Sequence, residues 1–270
     1  MIQLPRSTYY YNSTAQAGGL DDDRLAQLIG AIQDEFAGYG YRRVTHELGR
    51  RGYGVNHKRV ARVMHARQLG IKQRRRFVRT TDSKHDHAIS PNLYGNVIPA
   101  NPNEVWVADI TYIRLATGFC YLAAVLDACS RKVVGYAISD QINTQLTVAA
   151  LMAAIHARSP PPGCIHHSDR GAQYANEWYR QVLMEHGLRG SMSSPGNPYH
   201  NAQAESFMKT IKVEQVYLAE YESLKEVQNQ LPRFIEEVYN AKRLHSAIGY
   251  LPPNEFEIKF AQKADSVLET

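Results

Sequence analysis

Apolar residues recur at helical spacing through the first quarter of the chain. Leu25, Leu28, Ile29, Ile32 and Phe36 fall on one face of a helix expected over 21–39, with Asp21 or Asp22 as its cap. Val44 and Leu48 give a shorter face over 42–51, which Gly52 ends. After the turn Gly52-Tyr53-Gly54-Val55, Asn56 is placed to cap a third helix over 57–68, with Val60, Val63 and Met64 inward and Gly70 as its stop. Two short helices joined by a glycine turn form a helix-turn-helix candidate. A three-helix bundle with basic decoration is the plainer alternative.

The pattern then changes. Residues 81–103 hold Pro91, Pro99 and Pro102 among Asp, Ser, His and Asn, and read as a polar linker. Beyond it, 104–115, 119–127 and 132–139 are rich in β-branched and aromatic residues, with turns at Thr117-Gly118 and at 129–131. A helix over 144–157, a short apolar strand at 164–167, a helix over 176–186 and a strand at 188–192 follow. Two helices, 202–217 and 224–240, close the core. Three antiparallel strands, a helix, then alternating strand and helix is an α/β order. The expected division is a leading segment at 1–20, a basic helical domain at 21–80, the linker at 81–103, an α/β core with its C-terminal helices at 104–262 and a tail at 263–270. Trp106 and Trp178 are expected in the core.

Composition narrows the class. An apolar fraction of 44% and a charged fraction of 21% are those of an ordinary globular chain. No apolar run reaches the roughly 20 residues that span a bilayer, and no apolar signal segment follows Met1, so a cytoplasmic protein without a membrane partner is expected. Cys120, Cys129 and Cys164 are odd in number and unpaired by spacing, which favours reduced thiols. The net charge of +5 conceals an asymmetry: residues 40–80 hold thirteen Lys/Arg against one acid, Glu47, and the remainder is net acidic. So basic a block reads as a polyanion-binding module. Arg42, Arg43, Lys58, Arg59 and Arg62 are its candidate DNA contacts, and Arg74, Arg75 and Arg76 lie in a stretch too charged to pack, suited to tracking phosphates.

Three carboxylates stand in settings suited to metal-dependent phosphoryl transfer. Asp109 lies within the first expected strand, Asp169 directly after a short buried strand, and Glu205 in the first turn of a helix whose expected cap is Asn201. Thirty-five residues separate Asp169 from Glu205. Glu205, Lys209 and Lys212 are spaced i, i+4, i+7 and share a helix face, so one ligand and two cations aim at the same substrate. Hard divalent ions take oxygen ligands, and two of them can stabilise both the entering and the leaving oxygen of a phosphodiester. Taken singly, an Asp after a strand also suits a turn, and a Glu in a first turn complements the helix dipole. His166 and His167 suit strand-end packing better than metal. Asp127 suits a turn with Ser130 and Arg131 better than a fourth acidic position. Arg243 and His245 are candidates either for DNA contact or for helix-end interactions.

These residues resemble a known family. The motifs are Trp106 with Asp109-Ile110-Thr111-Tyr112-Ile113, Leu126-Asp127-Ala128-Cys129-Ser130-Arg131, His167-Ser168-Asp169-Arg170-Gly171, Asn201-Ala202-Gln203-Ala204-Glu205-Ser206-Phe207 with Lys212, and Tyr239-Asn240-Ala241-Lys242-Arg243-Leu244-His245. In this order the chain resembles the second-frame products of the insertion-sequence-three family of bacterial transposases, with a retroviral-integrase-like core. The resemblance implies an α/β, ribonuclease-H-like core with a mixed five-stranded sheet and flanking helices, preceded by a small all-α helix-turn-helix domain. It implies Asp109, Asp169 and Glu205 as the catalytic, metal-binding triad, holding two Mg²⁺ or Mn²⁺ ions. The implied reaction is 3′-end cleavage by water and joining by the freed 3′-hydroxyl, on double-stranded element ends and target DNA. A same-fold nuclease without strand transfer and a non-enzymatic DNA-binding regulator are the rival readings. His200 departs from the Asp common at that position. The opening Leu4-Pro5-Arg6-Ser7-Thr8-Tyr9-Tyr10-Tyr11 resembles a connector, so a frameshift fusion to an upstream first-frame product is expected, as is a dimer or larger oligomer on DNA.

Overall fold

The computed structural model describes residues 20–71, 89–95, 99–194 and 201–268. They form a helical unit ending at Gly70 and a larger α/β unit beyond it. The helical unit contains α1 (Asp22–Glu35), α2 (Tyr41–Arg50) and α3 (His57–Ala66). Leu25, Ile29, Ile32, Val44, Leu48 and Val60 meet in its solvent-free core, as the helical spacing requires. Gly52, at φ +87°, turns the chain in the left-handed region that glycine enters without a Cβ clash. The Asn56 side chain caps α3 by accepting the Lys58 N–H at 2.9 Å. Of the α1 acids, Asp21 is the cap, accepting the Arg24 N–H at 2.6 Å. Asp22 has a different role: it receives Arg59 at 2.9 Å and Arg62 at 2.7 Å, while Asp23 pairs with Arg67. The acids that open α1 therefore hold arginines of α3 and of its C-cap.

The larger unit is built on β1 (Val105–Leu115), β2 (Gly118–Asp127), β3 (Val133–Ser139), β4 (Ile165–Ser168) and β5 (Arg189–Met192). The sheet order is β3-β2-β1-β4-β5, antiparallel among the first three and parallel from β1 through β5. This is the mixed five-stranded sheet that the resemblance implies. Between the strands lie α4 (Thr144–Arg158), the short α5 (Ala172–Ala175) and α6 (Glu177–Glu185). After β5 come α7 (Ala202–Ile211), α8 (Leu224–Arg233) and α9 (Pro253–Leu268).

Strand alternation sorts β1 to two faces. Trp106 and Ala108 pack with Ala123, Val125, Leu151 and Ala154, the last two from α4. Val105 and Val107 pack with Leu122, Phe207, Ile211, Val227 and Leu231, which brings in α7 and α8. By the same period Asp109 follows Val107 on the face that carries α7. Close packing of α4 on β3 depends on Gly135: a Cβ there would meet Ala154 N at 2.4 Å and Ala150 O at 2.5 Å. Gly135→Ala is therefore expected to destabilise the core by about 1–3 kcal/mol through overpacking against helix backbone. Urea denaturation of the two proteins measures this; equal midpoints would show that α4 yields freely.

Several expectations need correction. The linker is not wholly solvated: Tyr94 is buried, the Leu93 N–H donates to Ser191 Oγ at 2.8 Å, and Tyr94 packs on the His167 ring with centroids 5.1 Å apart. A tyrosine among prolines found an apolar wall that composition did not reveal. The helix expected over 202–217 is α-helical to Ile211 and π-helical over Lys212–Val216, ending in the turn Tyr217–Ala219. The one expected over 224–240 becomes π-helical over Phe234–Asn240. Pro232, inside α8, lacks the N–H that would bond the Gln228 carbonyl, and the ladder widens just beyond it. Residues 263–268, read as a tail, continue α9. That helix is anchored by Glu257, which takes both Arg158 guanidinium nitrogens at 2.8 Å and Lys132 at 3.3 Å. Trp106 is fully buried as expected, but Trp178 is 48% exposed. All three cysteines are free thiols.

Candidate active site

Register brings the two aspartates together. Val107 of β1 pairs with His167 of the parallel β4, and Asp109 and Asp169 each stand two residues further on. Neighbouring strands lie about 4.8 Å apart, so the two carboxyl groups emerge side by side, Asp109 from within β1 and Asp169 just past the end of β4. Asp109 Oδ1 accepts the Ile110 N–H at 2.8 Å, and Asp169 Oδ1 accepts the Gly171 N–H at 2.9 Å. A Cβ on Gly171 would lie 3.0 Å from that Asp169 oxygen, so the turn has little room for a side chain. Asp109 and Asp169 line one narrow cleft with Thr111, Gln173 and Tyr174, of about 20 Å³. That is room for one water-sized species.

Glu205 reaches this neighbourhood through a residue that sequence reading assigned another job. Asn201 makes no side-chain cap to α7. Its Nδ2 donates instead to the Ala108 carbonyl at 3.0 Å, buried, fastening the start of α7 to β1 beside Asp109. The only clue in the sequence was its place four residues before Glu205. Glu205 itself is exposed on the first turn of α7.

The carboxylates repel one another. Burial first, then the Asp169 charge, and more weakly that of Glu205, push the Asp109 carboxyl up to about 8; the Ile110 N–H and Lys212 oppose the rise. Burial and Asp169 also raise Glu205. Lys212, half-buried, sits with Nζ 3.9 Å from the Tyr112 ring centroid; burial lowers its pKa while Asp109 raises it. Among the described residues no three carboxylate, imidazole or thiol groups are close enough together to enclose an ion. The aspartate pair is in place, and Glu205 stands off from it.

Other candidates are accounted for structurally. His166 Nε2 and Tyr179 Oη are hydrogen-bonded at 3.0 Å, and burial lowers that imidazole to about 3. His167 bonds Ser191 and Ser193 at 2.8 and 3.1 Å. Asp127 forms the expected turn, accepting N–H groups of Asn103, Cys129 and Ser130. Arg243 is corrected as a DNA contact: it is 4% exposed, and its guanidinium donates to both Glu214 oxygens at 2.8 Å. Lys209 is exposed on α7.

In the helical unit, Arg42 and Lys58 are exposed, Arg42 stacking on Tyr41 at 5.1 Å. Arg43 lies over Tyr39 at 5.8 Å, and Arg59 and Arg62 are held by Asp22. Arg74, Arg75, Arg76 and His200 lie outside the described residues.

Comparisons with known proteins agree with this architecture. Two models described as integrase core domain match residues 99–198 and 186–253, and one described as HTH-like domain matches 20–77. The transposase for insertion sequence element IS904 of Lactococcus lactis is 38% identical, over 86% of this chain and 93% of that protein. The transposase InsF for insertion sequence IS3A of Escherichia coli K12 is 39% identical, over 82% and 77%. An uncharacterized 31 kDa protein of insertion element IS600 from Shigella sonnei is 40% identical, over 84% of each. No helix among the described residues is long and apolar enough to cross a membrane. With a basic helix-turn-helix unit and an integrase core bearing paired aspartates, the chain belongs to the insertion-sequence-three family of transposases, enzymes of DNA transposition.

Proposed function

We propose that Asp109, Asp169 and Glu205 form the catalytic site, binding divalent metal and directing 3′-end cleavage of the element and joining of that end to target DNA. The observation that carries this reading is the pair of aspartates at equivalent positions of adjacent parallel strands, with Asp109 strongly destabilised as an anion. An all-oxygen donor set suits Mg²⁺ or Mn²⁺, and a cation would relieve the repulsion. Bound as two ions, the metal would activate the attacking hydroxyl and steady the leaving 3′ oxygen. The chain's own residues do the rest. Asn201 holds α7 against β1, Glu205 closes the site from α7, and Lys212 and Lys209 bring positive charge to the scissile strand. An assay with labelled element ends, Mg²⁺ and the upstream first-frame region supplied should yield joined product. Hydrolysis without joining would leave a nuclease instead.

Recognition of DNA by the helical unit rests on Arg42, Arg43 and Lys58, with Arg59 and Arg62 exchanging Asp22 for phosphate. Arg74, Arg75 and Arg76 are assigned to phosphate contacts on charge alone. Lys58→Ala is expected to reduce the slope of log affinity against log salt by about 0.9. Asp22→Asn, which frees two guanidiniums, should tighten binding and steepen that slope. Fluorescence anisotropy over a salt series measures both, and unchanged slopes would assign the DNA face elsewhere. Two ends handled together require at least a dimer on DNA, and fusion to the first-frame product supplies the remaining DNA-binding and pairing surface.

A further inference from the structure

A second cavity, of about 390 Å³, opens beside the proposed catalytic cleft. Tyr112 lines both. Phe119 and Tyr217 line the cavity too, with Lys212 and Arg114 as its cations and Glu220 as its acidic group. Tyr112 and Phe119 meet edge to face, with centroids 5.6 Å apart, across the β1–β2 hairpin. Phe119 is 50% exposed, which leaves its ring open to a ligand in the cavity. The far wall is the π-helical stretch and the turn after it, which ends at Glu220 in a left-handed conformation with φ +47°. Such distortions of a helix gather at functional sites.

We infer that this cavity receives a single unstacked nucleobase of the DNA strand bound in the catalytic cleft, and so reads or anchors the end being cut. The inference rests on the proposed function of that cleft. Aromatic walls suit the face of any base, and the two cations of the lining suit the phosphates on either side of it. Glu220 can accept a hydrogen bond from an exocyclic amine, which favours adenine, cytosine or guanine over thymine. The volume lies within the range of small-molecule pockets and far exceeds what one water needs. Lys212 links the two sites, since its ammonium faces the Tyr112 ring while remaining within the influence of Asp109.

Photocrosslinking tests this on the full chain. Duplexes copying the end of the element carry 5-iodocytosine, a photoreactive base that keeps the exocyclic amine, at successive positions around the cleavage site, and crosslinked peptides are mapped by mass spectrometry. A crosslink confined to one position, on the peptide holding Tyr112 and Phe119 or the one holding Tyr217, is the expected result. Phe119→Ala should remove it and weaken binding by about five- to a hundredfold, the range for one lost base stack. Asp109→Asn should keep the crosslink while abolishing cleavage. Crosslinks spread over many positions or on other peptides overturn the inference, as does their absence from bound DNA. A change of oligomeric state on Phe119→Ala without loss of DNA affinity would assign the cavity to a second copy of the chain, and overturns it too. If Asp109→Asn still cleaves, the catalytic assignment fails, whatever the crosslinks report.

Discussion

Asp109→Asn should reduce metal-dependent cleavage of element ends by about a thousandfold or more, yet stabilise the metal-free protein. The loss follows because a bound ion contributes several kcal/mol at the reacting phosphate, and each 1.4 kcal/mol is about tenfold in rate. The gain in stability follows from the electrostatics of the empty cleft. The Asp109 carboxyl ordinarily titrates at 3.8 and is raised here to about 8. Below the lower value the group is protonated in folded and unfolded chains alike and contributes nothing. Between the two values the folded protein holds a proton that the unfolded chain releases, so stability falls as pH rises from about 4 to 8. At 1.36 kcal/mol per pKa unit the loss is bounded at about 6 kcal/mol, and coupling to Asp169 and Glu205 spreads it over the three groups. Thermal unfolding in chelator should show this decline in the parent protein and a flatter profile in the Asn variant. Mg²⁺ should then stabilise the parent and leave the variant nearly unchanged. Parallel pH profiles in chelator would remove the electrostatic argument; cleavage by the variant would remove the catalytic one.

The second large effect concerns Arg243. Its side chain and that of Glu214 are each 5% exposed and joined by two hydrogen bonds of 2.8 Å. Removing either partner alone leaves a buried charge uncompensated, which costs about 3–5 kcal/mol. Arg243→Met and Glu214→Gln are each expected to destabilise by that amount in urea unfolding. The double variant Glu214→Leu with Arg243→Met should recover most of the loss, because no lone charge remains. Glu214 belongs to the same π-helical stretch as Lys212, so the single variants should also slow cleavage by loosening that wall. The salt dependence of DNA binding should not change, which separates this pair from a phosphate contact. Additive losses in the double variant would mean that the two side chains act independently.

Much of this architecture is written in local patterns. The helical spacing of Leu25, Ile29 and Ile32, the Asn56 cap and the Gly52 turn are decided within a few residues, so they could be read in advance. The β-branched and aromatic residues around Val105, Trp106 and Val107 likewise announced a strand, although its burial on both faces appeared only in the fold. Interactions between distant positions were not readable in this way. Arg243 suits either a DNA contact or a helix end until Glu214, 29 residues earlier, is brought against it. Asn201 looks like a cap because caps are Asn, but the free acceptor it found was the Ala108 carbonyl, 93 residues away. Tyr94 lies in a polar, proline-rich stretch, and its burial required the groove beside His167.

The same division runs through the active site. Residue types and spacing marked Asp109, Asp169 and Glu205 only as candidates for hard-cation chemistry, since each alone also suits a turn or a helix start, and it was the family resemblance that joined them into one expected site. Their proximity is a matter of register. The parallel pairing of Val107 with His167 sets two aspartates side by side, and the resulting repulsion exists only once the chain has folded. Likewise the basic block around α3 was evident from composition, whereas the capture of Arg59 and Arg62 by Asp22 was not. Local order is encoded over a handful of residues by sterics and hydrogen bonding; charge pairing and burial depend on which distant surfaces meet.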